Sequence, residues 1–213
     1  MSNAELATAV VATARAMNAS GINRGTAGNV SARGAGGKGF LITPTGMAYD
    51  EIDGSDIVQM HLDGSWQGAR KPSSEWRFHR DIYAARPDTG AVIHTHSPFA
   101  TTLACMGCNV PPFHYMIARF GGKDVRCADY ATFGTQELSD AVLIALKERS
   151  ACLLAHHGMI VCARELKDAL ALAVEFETLC EQYWRVLQIG APRLLPDDEM
   201  ERVLEKFAGY GQQ

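Results

Sequence analysis

Two histidines at the end of a short apolar run are the first sign of chemistry in this 213-residue chain. Ala91-Val-Ile93 reads as a buried strand, with His94 and His96 two positions apart at its end. Side chains alternate along a strand, so both imidazoles leave on the same face. Two neutral ring nitrogens converging on one point can begin a divalent-metal site, which takes three or four nitrogen, sulfur or carboxylate ligands at about 2 Å. A pair of satisfied core histidines would leave the same trace in the sequence.

A second apolar run repeats the pattern: Ala151-Cys-Leu-Leu-Ala155 ends in His156-His157-Gly158, where the glycine lets the backbone bend. A carboxylate is available at Glu75. Lys71-Pro-Ser-Ser-Glu75 opens a helix carrying Trp76, Ile82 and Tyr83 that stops before Pro87, so Ser73 and Ser74 sit where a helix N-terminus holds an anion. A first-turn Glu75 would also complement the helix dipole by about 0.3–1 kcal/mol without any catalytic role. Pro44-Thr45-Gly46 ends the strand Phe40-Leu-Ile-Thr43 in a tight turn offering a hydroxyl and glycine N–H groups. Asn23-Arg-Gly-Thr26-Ala-Gly28-Asn29-Val-Ser31 is a loop that either brings backbone N–H groups to an anion or merely connects two elements. Three histidines at strand tips and one carboxylate at a helix start thus make a divalent-ion site, with loops beside it suited to a phosphate.

The elements that must position these groups follow from periodicity. Residues 2–20 read as an amphipathic helix with Leu6, Val10, Ala14 and Met17 on one stripe, ended by Gly21. Further helices are expected after Ser97-Pro98, over 136–149 and over 165–189, with strands over 56–62, near Val125 and over 159–162. His114 and Tyr115 are the polar tips of an aromatic segment, 111–117; the Tyr130-Ala-Thr-Phe-Gly134 loop follows, and the tail around 207–211 is polar and glycine-bearing.

The length fits one domain spanning residues 1–213. Hydrophobic content of 47% and charged content of 21% are those of a soluble globular protein. A net charge of −4 argues against a nucleic-acid partner, which would call for a basic face. No stretch approaches the roughly 20 apolar residues of a membrane span, and the N-terminus lacks a basic segment followed by an apolar run. A cytoplasmic location without membrane association is therefore expected. Cys105, Cys108, Cys127, Cys152, Cys162 and Cys180 lie in apolar contexts as reduced thiols, and the Cys105-x-x-Cys108 pair has no second pair to complete a zinc site.

The chain resembles the class II aldolase family, and within it the fuculose-phosphate branch. The resemblance rests on Gly25-Thr-Ala-Gly-Asn-Val-Ser31, Ile42-Thr-Pro-Thr-Gly46, Pro72-Ser-Ser-Glu-Trp-Arg-Phe-His79, His94-x-His96, His114-Tyr-Met-Ile-Ala118, Tyr130-Ala-Thr-Phe-Gly134, His156-His-Gly158 and the tail around Tyr210, in that order. It implies an α/β protein, a three-layer α/β/α fold with a central, mostly antiparallel sheet. It also implies a cyclic homotetramer with active sites at subunit interfaces.

By position, the resemblance makes His94, His96 and His157 ligands of zinc, with manganese or cobalt as substitutes. Glu75 becomes the acid/base carboxylate that can also contact the metal. His157 is preferred to His156 because the family's ligand directly precedes the glycine, and alternation along a strand would turn His156 away. Thr26, Gly28, Asn29, Thr45, Gly46, Ser73 and Ser74 match phosphate-binding positions, Tyr115 a tyrosine that reaches the neighbouring subunit's site, and Tyr210 one on a closing tail. The implied reaction is retro-aldol cleavage of a ketose 1-phosphate to dihydroxyacetone phosphate and an aldehyde, through an enediolate that a Lewis-acidic metal stabilises. The sugar is L-fuculose 1-phosphate, or a 5-deoxypentulose or 5-methylthioribulose 1-phosphate, because Arg24 and Gly34–Lys38 depart from the fuculose-phosphate pattern. Relatives that epimerise, dehydrate or decarboxylate share the ligands. A non-catalytic module like the adducin head would be marked by their loss.

Overall fold

The computed structural model describes residues 1–209, and Tyr210 lies outside the described residues. The first helix, α1 (Asn3–Ala19), starts at a reciprocal cap in which the Glu5 N–H donates to Ser2 Oγ and the Ser2 N–H donates to Glu5 Oε2. The helix gives way at Gly21, whose φ of 78° is left-handed. Among the described residues, eight strands follow, interleaved with five more α-helices. The strands are β1 (Asn29–Arg33), β2 (Gly39–Ile42), β3 (Val58–His61), β4 (Trp66–Gln67), β5 (Ala91–Thr95), β6 (Arg126–Ala128), β7 (Ala151–Leu154) and β8 (Gly158–Ala163). The helices are α2 (Trp76–Ala85), α3 (Pro98–Cys105), α4 (Gln136–Ala145), α5 (Leu166–Ile189) and α6 (Asp197–Ala208).

All eight strands form one sheet in the order β4-β3-β2-β1-β5-β8-β7-β6, and only β6 and β7 run parallel. The central strands β2, β5 and β7 are buried along their whole length, which is why they read in the sequence as unbroken apolar runs. Alternation then splits each strand between two cores. Val30, Ala32, Ile93, Leu153, Met159 and Val161 face α1, α3 and α5, where Val10, Met17, Leu103 and Phe176 meet them. Phe40, Ile42, Val92, Leu154 and Ile160 face α2 and α4, where Phe78, Ile82, Leu138 and Val142 meet them. Helices on both faces of a mostly antiparallel sheet give the α/β/α layering expected from the sequence.

This parity places the polar positions. Asn29 and Ser31 alternate with Val30 and Ala32, and His94 alternates with Ile93, so all three point to the α2 side of the sheet. Asn29 stands directly opposite His94 in the β1–β5 pair.

Several elements differ from the sequence reading, two of them more than the rest. Residues 197–208 form helix α6, with Met200, Val203, Leu204 and Phe207 packed on the α5 side core, although the sequence reading left this stretch unassigned. β1 begins at Asn29, inside the run read as loop.

Candidate metal centre and its cleft

His94 occupies the last-but-one position of β5, fully buried, and His96 follows just past the strand end. The His94 Nδ1 lies 2.9 Å from the Met159 carbonyl on the neighbouring strand β8. A carbonyl only accepts, so Nδ1 carries the proton and Nε2 presents a lone pair. That Nε2 is 3.1 Å from His96 Nε2 and 3.0 Å from Glu75 Oε2. The fourth group, His157, brings its Nε2 to 3.1 Å from Glu75 Oε1. The four ligand atoms of Glu75, His94, His96 and His157 all lie within 4.8 Å of one another.

Their chemistry fits a cation. Ligands about 2.0–2.1 Å from a tetrahedral ion stand roughly 3.3 Å apart, close to the three spacings found. Glu75 Oε1 is buried with only His157 Nε2, at 3.1 Å, to meet it, and where that nitrogen presents its lone pair the oxygen lacks a hydrogen-bond donor, which is costly unless a cation takes its place. Burial opposes ionisation of Glu75, while the charge and hydrogen bonds that the His94 and His157 rings supply when protonated hold the carboxyl below the usual carboxylate range. Burial, followed by His94 and His157, pushes His96 down to about 4, so its imidazole is neutral and free to ligate at neutral pH.

The local backbone explains how these side chains reach one point. β7 and β8 join through a three-residue turn, 155–157, whose sharp bend falls on His156, at a left-handed φ of 56°. His156 and His157 therefore diverge because they lie in a turn, and alternation along a strand is not the reason. Gly158 is also not the bend. It is required because a Cβ there would stand 2.5 Å from the Thr95 carbonyl oxygen and 3.0 Å from the His96 ring. Glu75 is the residue before α2 rather than part of its first turn, and its side chain makes no cap bond. It is held by its own N–H donating to Ser73 Oγ and by Asn29 Nδ2 donating to Oε2 at 3.1 Å.

Beside the centre opens a cleft of about 410 Å³ lined by Thr26, Thr45, Gly46, Ser74, Glu75, His96, His157 and others. The loops holding Thr45 and Ser73 are stitched together, with the Thr45 N–H donating to the Lys71 carbonyl and the Ser73 N–H to the Thr43 carbonyl. Gly46 has a left-handed φ of 70°, which favours glycine at that turn.

Three other expected residues are placed differently. Ser73 is buried beneath the loop. Gly28 packs under His94, where a Cβ would stand 2.7 Å from the His94 carbonyl oxygen, and its own carbonyl accepts from the Tyr49 hydroxyl. Asn29 is buried, with its amide between Glu75 and His79.

Tyr115 does not line the cleft of its own chain. It is half exposed on a 3-10 helix, Tyr115–Phe120, and borders a separate groove with Phe113, Leu195, Glu199, Val203, Lys206 and Phe207.

Sequence reasoning missed several contributors. Tyr130, Ala131, Phe133 and His156 also line the cleft, in segments that the resemblance matched but to which it gave no part in the site, and the Gly134 carbonyl accepts from Arg77 Nη1. Exposed aromatics after a short strand were the signal available for Tyr130 and Phe133. Glu177 of α5 accepts from Ser97 Oγ and from the N–H groups of Phe99 and Ala100, which pins the start of α3, immediately after His96, to α5. No periodicity would have singled it out.

Comparison with known proteins gives the family. The family described as "Class II Aldolase and Adducin N-terminal domain" matches residues 8–184. The chain belongs to this class II aldolase family. A 5-methylthioribulose-1-phosphate/5-deoxyribulose-1-phosphate aldolase of Rhodospirillum rubrum is 60% identical over 198 residues, covering 93% of this chain and 89% of that one. The L-fuculose phosphate aldolase of Escherichia coli K12 is 46% identical over 212 residues, covering 99% and 98%. A solved L-fuculose 1-phosphate aldolase superimposes with a TM-score of 0.92 at 40% identity, covering 96% of each chain. This class II aldolase is an enzyme of the lyase class. Among the described residues, no helix is long and apolar enough to cross a membrane.

Proposed function

We propose that this class II aldolase cleaves a ketose 1-phosphate between carbons 3 and 4, releasing dihydroxyacetone phosphate and an aldehyde. The observation that carries the reading is the meeting of Glu75, His94, His96 and His157 beside a cleft that also presents the hydroxyls of Thr26, Thr45 and Ser74 and the turn at Gly46. His94, His96 and His157, with Glu75, would hold one zinc ion per subunit, and that ion supplies Lewis acidity for the negative charge that develops on carbon 3 and its neighbouring oxygens. Thr26, Thr45, Gly46 and Ser74, with Ser73 and Asn29 behind them and Gly28 shaping the pocket, bind the phosphate and fix the register of the sugar. Glu75, ionised and buried, moves the proton at carbon 3. Tyr115 and Tyr210 act on a neighbouring subunit's site in a cyclic homotetramer, where Tyr115 exchanges the proton on the carbon 4 oxygen and Tyr210 helps close the cleft. The enzyme works in the cytoplasm with small-molecule sugar phosphates.

The aldehyde half follows the higher identity. The 60% relative is named for methylthioribulose and deoxyribulose phosphates and the 46% relative for fuculose phosphate, so 5-deoxypentulose phosphates are favoured. Tyr130 and Phe133 offer that half an aromatic wall. The test is zinc-loaded protein with 5-methylthioribulose 1-phosphate, 5-deoxyribulose 1-phosphate and fuculose 1-phosphate in turn, with dihydroxyacetone phosphate detected by a coupled reductase. Product formation establishes the cleavage and the ratios of kcat/KM rank the sugars. Absence of product with all three sugars, in metal-loaded protein, would point to the epimerase, dehydratase or decarboxylase reactions.

A further inference from the structure

Behind Glu75, on the side away from the cleft, a file of polar groups runs into the core between β1 and α2. Asn29 Nδ2 is 3.1 Å from Glu75 Oε2, and Asn29 Oδ1 is 2.5 Å from His79 Nε2. His79 Nδ1 is 2.7 Å from Ser31 Oγ, which is 2.8 Å from the Tyr83 hydroxyl. Asn29, Ser31, His79 and Tyr83 are each at most 2% exposed. Solvent therefore cannot reverse any one link on its own.

The end group sets the direction of the whole file. An ionised carboxylate only accepts, so Asn29 turns its NH₂ to Glu75 and its oxygen to His79. That oxygen needs a donor, so His79 carries its proton on Nε2. The Nδ1 lone pair then accepts from the Ser31 hydroxyl, and the Ser31 oxygen accepts from Tyr83. Every donor points toward Glu75. Burial, with His94 second, pushes His79 down to about 3, in keeping with the neutral tautomer this file requires.

We infer that His79 is a positioning residue: by donating to Asn29 Oδ1 it locks the Asn29 amide with its NH₂ on Glu75, and so fixes the carboxylate that faces the metal centre. If the donor is lost, Asn29 Oδ1 is left buried without a partner, the amide is no longer held in place between β1 and α2, and the carboxylate it supports is free to shift. The inference rests on the reading of Glu75 as both a metal contact and a proton carrier.

Cobalt-loaded wild type, His79→Leu and His79→Gln test it, by visible absorption of the ion and by turnover of 5-methylthioribulose 1-phosphate. His79→Leu should lower kcat roughly 10–100-fold with KM little changed, and should alter the cobalt absorption because the Glu75 contact moves. His79→Gln still offers an NH₂ to Asn29 and a carbonyl to Ser31, and should restore both readouts. A folded His79→Leu chain with wild-type kcat and wild-type absorption would overturn the inference, as would a Gln variant no better than Leu. If the Leu chain does not fold, Ser31→Ala removes the donor onto His79 Nδ1 and should move both readouts in the same direction; wild-type values there would also overturn it. Glu75→Gln measured alongside separates the two readings. Unchanged turnover in that variant removes Glu75 from the chemistry, while the cobalt absorption still decides what His79 does.

Discussion

His94 of β5 donates its Nδ1 proton to the Met159 carbonyl of β8 at 2.9 Å, and this bond across the sheet commits its Nε2 lone pair to the cleft. Glu75 Oε2 faces that lone pair at 3.0 Å, so two acceptors confront each other unless a cation lies between them. Chelation should therefore destabilise the protein. An ion present at about a thousand times its dissociation constant stabilises the fold by roughly 4 kcal/mol. The melting temperature should fall by several degrees with chelator and recover with added zinc, cobalt or manganese. An unchanged melting temperature would mean that the cluster holds no ion.

Glu75→Gln keeps the size of the side chain but removes its charge and basicity. The variant should bind metal and remain assembled while turnover falls by roughly 10²–10⁴. Near-normal cleavage of the preferred sugar would remove Glu75 from the proton transfer.

Tyr115 sits away from its own chain's cleft, with its ring stacked 6.4 Å from that of Phe207. If it acts on a neighbour, Tyr115→Phe and Glu75→Gln chains, each inactive alone, should regain activity when unfolded, mixed and reassembled. Random pairing would restore about a quarter of the sites. No recovery on mixing would confine Tyr115 to a structural part.

Gly158→Ala places a methyl group against the Thr95 carbonyl and the His96 ring at once. The expected cost is about 1–3 kcal/mol of stability together with weaker metal retention, since the His96 ring must give way. Urea midpoints and metal content after dialysis read the two effects separately, and a chain unchanged in both would contradict the packing described.

His79 has its pKa lowered to about 3, against roughly 6.5 when unfolded. Between those values the unfolded chain binds the proton and the folded one does not, so stability is fully present above pH ~6.5 and is lost as pH falls toward ~3. The full span is on the order of 5 kcal/mol for this one group. His79→Gln should flatten that part of the stability curve at fixed metal content, as measured by urea unfolding from pH 7 to 4. An unaltered slope would show that His79 is not held neutral by the fold.

The parts of this molecule that could be read from sequence were those in which one periodicity dominates. His94 and His96 could be paired because β5 alternates without a break between two cores. The choice of His157 over His156 came from the resemblance, and the turn that separates them depends on a left-handed residue that no sequence rule assigns to histidine. Asn29 matched a phosphate position, but its side chain lies on the same sheet face as its cross-strand partner His94 and is taken up by Glu75 and His79. Helix α6 carried its signal openly in Met200, Val203, Leu204 and Phe207, with three acidic residues in its first turn. Glu177 and His79 are different, because each acts on a partner distant in the chain, and such pairings appear only after the sheet is formed.

The metal-facing groups come from three distant stretches: Glu75 ahead of α2, the His94–His96 pair at the end of β5, and His157 in the turn before β8. During synthesis, a chain that has not yet reached the turn before β8 holds at most three of the four, and until β8 follows the Met159 carbonyl that sets the His94 tautomer is still missing. An ion that needs all four groups would therefore be taken up by the folded protein rather than by the nascent polypeptide. Shortage of the metal in a cell would leave a standing reserve of folded, inactive chains that could be switched on as the ion returns, without new synthesis.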